Sequence, residues 1–434
     1  MPTIRGAIAV LLLLALQSPQ ASAELTVQIL RGMAEAVPIA IVPFGWESDG
    51  AAAWDVAATV QADLERSGRF RALPRGQMLE FPHLADAVDV ADWRMQKVDY
   101  VVVGQLQRNP DSRFELRYEL IQVATGERLL GTALPADQGA LLPASHRVAD
   151  AIYERILGVR GAFATRIAYV AVEGPLKARA YRLIVADADG ANERIVFNSP
   201  EPIMSPAWSR DGRSLAYVSF HSSLPAIYVQ TLKTGEQVRV SARSGINSAP
   251  AWSPDGNQLA VALSRRDGNV DIYLLSLATQ ELRRVTDDPS IDTEPAWSPD
   301  GRSLYFTSDR SGEPQIYQLG LSAGDRPRRI TFEGSYNARP RVSPDGRELA
   351  VVTIDRGAYR IAAVNLENGS LRILTSGHLD ESPSFAPNGA DIIYATREGG
   401  RGVLALVSID GRIQQRLAAS AGEVREPAWS PFLY

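Results

Sequence analysis

From Arg166 onward, apolar residues come in short runs rich in Val, Ile, Leu and Tyr, each closed by Gly, Asp, Asn or Pro. Runs of this length and composition predict β-strands rather than helices. They recur in sets of four. In the set led by Pro250, a short apolar stretch to Ser253 is followed by Asp255-Gly256, QLAVALS from Gln258, DIYLLSL from Asp271 and ELRRVTD from Glu281. The leading phrase repeats as PAWSRDG from Pro206, PAWSPDG from Pro250 and Pro295, PRVSPDG from Pro340, PSFAPNG from Pro383 and PAWSPFLY from Pro427. The steps between these prolines are 44, 45, 45, 43 and 44 residues. Four strands in ~40–45 residues is the unit of a propeller blade.

The set before Pro206 holds three strands, RIAYVAV from Arg166, YRLIVAD from Tyr181 and NERIVFN from Asn192, and lacks the first. The last copy is a first strand with nothing after it. The two ends therefore predict one split blade, so that the ring has six blades and closes without free sheet edges. Each Asp-Gly, as at Asp255-Gly256, predicts a type I′ hairpin rather than a calcium loop, because Gly always follows and no second carboxylate recurs. Trp208, Trp252, Trp297 and Trp429 share one place in their blades, which predicts packing between neighbouring sheets.

The stretch before the repeats reads differently. Arg5, the apolar run Ala7 to Leu16 and Ala21-Ser22-Ala23 predict a cleaved secretory signal over residues 1–23. Residues 24–160 predict an α/β domain. Its strands are Glu24 to Leu30, Pro38 to Phe44 and Tyr100 to Leu106. A hairpin is expected around Thr125-Gly126, with helices at Ala51 to Ser67 and Pro143 to Leu157. The propeller is expected over 161–434. The fold class is thus mixed: an N-terminal α/β domain followed by an all-β six-bladed propeller closed by the C-terminal strand.

Charge changes this picture little. With Lys+Arg 45 and Asp+Glu 50, the net charge is −5 and the signs are interspersed, which excludes a nucleic-acid groove. There are no cysteines, hence no disulfide and no lipid-anchored cysteine, as suits a bacterial periplasmic protein. His83, His146, His221 and His378 are far apart and in no metal spacing, and no nucleophile elbow or phosphate loop occurs. No catalytic residue, metal or cofactor is expected. A propeller without chemistry is a binding platform, and the residues before each leading proline rim its channel. Ser205, Asn247, Ala249, Thr293, Glu294, Asn337, Arg339, Asp380 and Glu381 belong to this polar, mixed-sign set, with Met204, Asp292, Ser382, Arg425 and Glu426.

These features resemble the TolB family, the periplasmic propellers of the Tol-Pal cell-envelope system. The resemblance rests on IVPF at Ile41, YVVVGQL at Tyr100, GAFATRIAYV at Gly161, DTEPAWSPDG at Asp292, LDESPSFAPNG at Leu379 and the terminal PAWSP, and it spans nearly the whole chain after the leader. It implies a soluble, non-enzymatic, monomeric adaptor that serves outer-membrane integrity and invagination during cell division. Its implied partners are the peptidoglycan-associated lipoprotein Pal, TolA and outer-membrane proteins. Pal is expected on the rim set above, with Ile246 standing where family members carry a histidine. TolA is expected on a mobile switch segment, residues 24–32, through Glu24, Leu25, Thr26, Val27, Gln28 and Ile29. A Glu294→Lys change is expected to weaken Pal binding without unfolding. The alternative is an accessory or gating subunit for a periplasmic peptidase or glycan-processing enzyme, and a lectin-like propeller would need recurring exposed aromatic or acidic residues.

Overall fold

The computed structural model describes residues 25–31, 36–46, 52, 54–264, 267–419 and 422–433. The expected leader, Glu24 and Gly32 lie outside these residues. The first part comprises β1 (Leu25–Arg31), β2 (Val37–Ile41), β3 (Gly45–Trp46), α1 (Val56–Arg66), β4 (Phe70–Ala72), α2 (Val90–Met95), β5 (Tyr100–Arg108), β6 (Phe114–Gln122), β7 (Glu127–Ala136) and α3 (Leu141–Leu157). One sheet runs in the order β4-β2-β5-β6-β7, with β2 parallel to β4 and β5, the short β3 also parallel to β5, and β5-β6-β7 antiparallel. Ile39 and Ile41 of β2 pack with Val60 and Leu64 of α1 and Val148 and Ile152 of α3. Ala40 and Val42 face the other way, with Val101, Val103 and Trp93 of α2. Burial on both faces explains why β2 is a continuous apolar run rather than an alternating one.

Two local expectations change. Helix α1 begins at Val56 and not at Ala51, because Asp55 caps it by accepting from Ala58 N at 2.9 Å. Trp54, expected on its apolar face, lies outside the helix and is exposed. Strand β1 does not join the N-terminal sheet. Its backbone pairs with the outermost strand of the last blade, Leu25 opposite Ala419 and Ile29 opposite Gln415.

Six four-stranded blades follow, the last widened to five strands by β1. Glu423–Trp429 pairs with Arg166–Glu173, so the C-terminal strand completes the first blade and closes the ring. The other inner strands are Ile203–Trp208, Asn247–Trp252, Asp292–Trp297, Asn337–Val342 and Glu381–Phe385. Each begins before its leading proline rather than at it.

The Asp-Gly turns are not of type I′. Only the glycine is left-handed, with φ between 66° and 75° at positions 212, 256, 301, 346 and 389, whereas type I′ needs two such residues. The turn is instead a four-residue unit held by its serine and aspartate. Ser253 O accepts from Gly256 N at 2.9 Å, and Asp255 accepts from the Ser253 hydroxyl at 2.5 Å and from Asn257 N at 3.1 Å. The same bonds recur at Ser209/Asp211, Ser298/Asp300 and Ser343/Asp345. The carboxylates are spent on the turn, and the serine hydroxyl bond is the main cause holding Asp211, Asp255 and Asp300 below the usual carboxylate range.

The tryptophans join blades by hydrogen bonds as well as packing. Trp208 Nε1 donates to Ala428 O at 3.0 Å, Trp252 Nε1 to Ala207 O at 3.0 Å and Trp297 Nε1 to Ala251 O at 3.1 Å. Each bond crosses to the preceding blade. Trp252→Phe keeps the ring packing and removes one such bond, so a loss of ~1 kcal/mol is expected. A thermal midpoint lowered by ~2–4 °C, with the fold retained, checks it.

The two parts of the molecule meet at blades one and six. Asp150 of α3 accepts from Phe163 N at 2.7 Å and Ala164 N at 3.2 Å, and a side chain at Gly161 would strike Asp150. Asn388 Nδ2 donates to Arg160 O at 2.9 Å, and the Arg160 guanidinium lies 4.0 Å from the Phe432 ring centroid. Arg69 pairs with Asp410 at 3.3 Å. The GAFATR junction is therefore packed against both parts, and Gly161 is small because a side chain there would meet Asp150.

Candidate functional site

The residue before each leading proline has an unusual backbone. Ser205, Ala249, Glu294, Arg339, Ser382 and Glu426 all have φ between 49° and 55°. Positive φ is uncommon outside glycine and costs of order 1 kcal/mol or more per residue. At the same point each inner strand slips register against its neighbour, between Thr293 and Ala296 in blade four and equivalently elsewhere. The cause is the proline. It has no N–H to give a ladder, so it is tolerated only on an edge strand or a bulge, and here it has both. Six bulges thus ring one mouth of the channel.

Four of these residues meet there. Arg339 Nε lies 2.8 Å from Glu294 Oε1, its Nη1 lies 3.5 Å from Glu426 Oε1, and Nη1 also donates to Ser382 Oγ. Glu294 Oε2 accepts from Arg339 N and the Thr307 hydroxyl, both at 3.0 Å, and Glu426 Oε2 accepts from Ser205 N at 3.3 Å. One guanidinium and two carboxylates therefore tie together five blades. Burial opposes the charge on Arg339, but the carboxylates of Glu426, Glu294 and Glu381 outweigh it and hold its pKa above the ordinary arginine value. Below lies a cavity of ≈ 580 Å³, walled by Ala207, Ala251, Ala296, Arg341, Ser384 and Ala428. Burial lowers the pKa of Arg341 there.

Four residues expected at the rim, Asp292 among them, lie deepest beneath the surface. Asn247 and Asn337 are 0% exposed and Asp380 is 1% exposed. Their side chains staple the loops that lead into the inner strands. Asn247 accepts from Ser241 Oγ at 2.7 Å and donates to Arg243 O at 2.7 Å. Asn337 donates to Glu333 O at 2.8 Å, and Asp380 accepts from Gly377 N at 3.1 Å. Asp292 does the same work by accepting both 2.9 Å and 2.8 Å bonds from Arg310. These residues shape the face from below. Glu294 is likewise no free surface charge: reversing it would set a cation against Arg339, so Glu294→Lys perturbs the hub's stability as well as its surface.

The face is also less polar than its rim suggests. Of the exposed large apolar residues in the propeller, Met204, Leu224, Ile246, Ile291, Phe332 and Tyr359 all lie at this end of the blades. Ile195, Val238 and Ile373 lie on outer strands, and none of the described ones lies in a Ser-x-Asp-Gly turn at the opposite end. Phe332 is 70% exposed, the most of any. Exposed apolar residues of blades two to five thus flank a charged hub. Leu224, Ile291 and Phe332 carry no periodic signal in the sequence because each is a single apolar residue within a polar loop, and Tyr359 carries none because it opens a strand whose apolar run looks like core. The available signal was that Ile246, Ile291 and Phe332 all fall between the fourth strand of one blade and the first of the next.

Comparison with known proteins accounts for both parts of the chain. Residues 25–129 match the TolB amino-terminal domain and residues 153–433 the TolB beta propeller domain. The Tol-Pal system protein TolB of Thioalkalivibrio sulfidiphilus is 54% identical over 425 residues, covering 98% of this chain and 97% of the relative. That of Xanthomonas oryzae pv. oryzae is 49% identical over 424 residues, covering 97% and 96%. The chain belongs to the TolB family. The crystal structure of TolB from Acinetobacter baumannii superposes with a TM-score of 0.87 at 41% identity, covering 94% of this chain and all of that one.

Membership in the Tol-Pal system directs attention to two surfaces of this TolB family member. The first is the channel mouth, where Ser205, Ala249, Thr293, Glu294, Arg339 and Glu381 are half-buried and Ile246 is exposed. The second is β1, where Leu25, Thr26, Val27, Gln28 and Ile29 lie in one strand on the outer edge of blade six. No helix among the described residues is long and apolar enough to cross a membrane.

Proposed function

We propose that the chain is a non-catalytic periplasmic adaptor that binds Pal over the channel mouth and TolA through β1. The observation that carries the Pal reading is the arc of exposed apolar residues, spread over blades two to five, beside the Glu294–Arg339–Glu426 hub. Grouped apolar side chains on an otherwise polar surface mark a protein interface, and rigid loops fix their positions. The stapled loops and shared hub make the surface preorganised, which lowers the ordering cost of binding. For TolA, β1 supplies an edge strand joined to the propeller by one ladder. Exchange of such a strand between two sheet edges uses the same backbone groups on either partner. Linking the outer membrane to inner-membrane proteins in this way serves envelope integrity and the inward movement of the outer membrane at division.

Calorimetric titration tests both contacts in one set of proteins. Phe332→Asp should weaken Pal binding by at least tenfold, about 1.4 kcal/mol, and leave the thermal midpoint unchanged, because the side chain is exposed. Deletion of residues 24–32 should abolish TolA binding and retain Pal binding. Unchanged Pal affinity in Phe332→Asp would remove this face from the interface.

A further inference from the structure

Asp63 on α1, His146 on α3 and Asp189, in the turn between the strands Ala180–Asp187 and Arg194–Ser199 of blade one, meet where the two parts of the molecule join. Their donor atoms lie within 4.8 Å of one another. The imidazole is 2% exposed. Its Nδ1 lies 2.6 Å from Asp63 Oδ2, while Asp63 Oδ1 takes Arg66 Nη2 at 2.7 Å. Asp63 therefore has both oxygens engaged. A buried carboxylate at Nδ1 assigns the proton to that nitrogen and leaves Nε2 with its lone pair. No described protein group reaches Nε2 with a hydrogen bond. The nearest acidic atom is Asp189 Oδ2 at 3.7 Å.

That separation is too long for a hydrogen bond. It fits two ligands of one ion: bonds of ~2.0–2.2 Å to nitrogen and oxygen span it at an angle of about 125°. The carboxylate at Nδ1 matches the outer-shell partner that orients metal-binding histidines. The local field has the right sign. Burial and the Arg66 charge oppose a cation at the ring and the carboxylates of Asp63 and Asp189 favour one; the resulting rise in the pKa of His146 makes a proton the competitor of a metal for Nε2. Asp187 is a further carboxylate nearby, engaged by Asn192 Nδ2 at 2.7 Å and lying 3.7 Å from Arg166. A cavity of ≈ 220 Å³ is lined by His146 and Asp187, together with Arg147 and Arg166.

We propose that His146 Nε2 and the Asp189 carboxylate bind a divalent transition-metal ion of the zinc class, with Asp63 holding the imidazole in place. Imidazole with carboxylate and water suits such an ion. Because His146 belongs to α3 and Asp189 to blade one, the ion would fasten the N-terminal part to the propeller. The competing occupant of the gap is a proton on Nε2, giving an imidazolium between two carboxylates and no metal site.

The test uses the chain from Glu24 onward, stripped with a chelator and titrated with Zn²⁺ by calorimetry and with Co²⁺ by visible absorption. One equivalent should bind in the wild-type protein. Asp189→Asn should lose it by at least tenfold, and because that residue sits in a partly exposed turn the variant keeps its fold. His146→Gln should lose it as well, and Asp63→Asn should weaken it ~10–100-fold by freeing the ring. His83→Gln, His221→Gln and His378→Gln should bind as wild type. Zn²⁺ should raise the thermal midpoint of the wild-type protein and not that of Asp189→Asn. Absence of one-equivalent binding, or its retention in Asp189→Asn, would overturn the proposal. So would its loss in any of the other histidine variants.

Discussion

A chain lacking Glu426–Tyr434 is expected to lose the cooperative thermal transition of the propeller, or to show it at least 15 °C lower. The deleted residues close the ring at several independent points. Ala428 and Trp429 pair with Ala168 and Ile167 in the first blade. Ala428 O takes the Trp208 indole at 3.0 Å, Trp429 Nε1 donates to Thr165 Oγ1 at 2.8 Å, and Trp429 N donates to Ser384 Oγ at 2.9 Å. Ser430 Oγ accepts from Arg166 N at 2.9 Å, and Leu433 rests on the turn at Gly212. Each of these bonds contributes ~1 kcal/mol and each large buried side chain ~1.5–3 kcal/mol, so the loss is on the order of 8 kcal/mol. That rivals the total stability of an ordinary domain, ~5–15 kcal/mol. A midpoint shifts by ~2–4 °C per kcal/mol at this size. Differential scanning calorimetry decides the matter, and a truncated chain that melts like the full one would show that the ring is held elsewhere.

Arg339→Ala should be the most damaging single change at the channel mouth. It leaves Glu294 and Glu426, with side chains only 21% and 10% exposed, facing each other without their cation. Breaking a fully buried pair costs ~3–5 kcal/mol; with the guanidinium 26% exposed, ~2–3 kcal/mol is expected here. The thermal midpoint should fall by ~5–10 °C. Adding Glu294→Gln should recover part of the loss, because it removes the stranded charge. A double-mutant cycle that shows no coupling between the two positions would mean the hub is a surface arrangement without energetic weight. Pal affinity should fall along with stability in Arg339→Ala, whereas Phe332→Asp separates the two.

The contrast between those variants reflects what each residue does: Arg339 ties neighbouring blades together, whereas Phe332 is exposed on a loop. Position before a leading proline correctly located the mouth of the channel. It did not distinguish Asn247, Asn337 and Asp380, which staple loops from within, from Ile246, which faces solvent. A polar residue near a proline reads the same whether its partner is water or a backbone carbonyl two turns away. The exposed apolar arc is hidden for the opposite reason: single apolar residues such as Ile291 and Phe332 in loops carry no period. Helix α1 was drawn five residues long at its start because Trp54 and the alanines before it suit a helix, and the cap at Asp55 stopped it. The Asp-Gly turns were recognised as turns while their geometry was not, since the serine two residues earlier supplies the bonds that set it.

What the chain determined alone was the count of blades, the order of strands within them and the splitting of the first blade between the two ends. Those follow from local strand chemistry repeated at a near-constant period and from the cost of leaving sheet edges open. What only the tertiary structure decided were the left-handed residues before the prolines, the Arg339 hub, the docking of β1 on blade six and the meeting of His146 with Asp189. Each joins residues that the ring or the domain contact brings together from distant parts of the chain. Glu294 and Arg339 are 45 positions apart, and Ser205 and Glu426 are 221 apart. Their spacing shows only that they hold equivalent places in the repeat; that they touch is created by closure of the ring rather than by any local preference of the backbone.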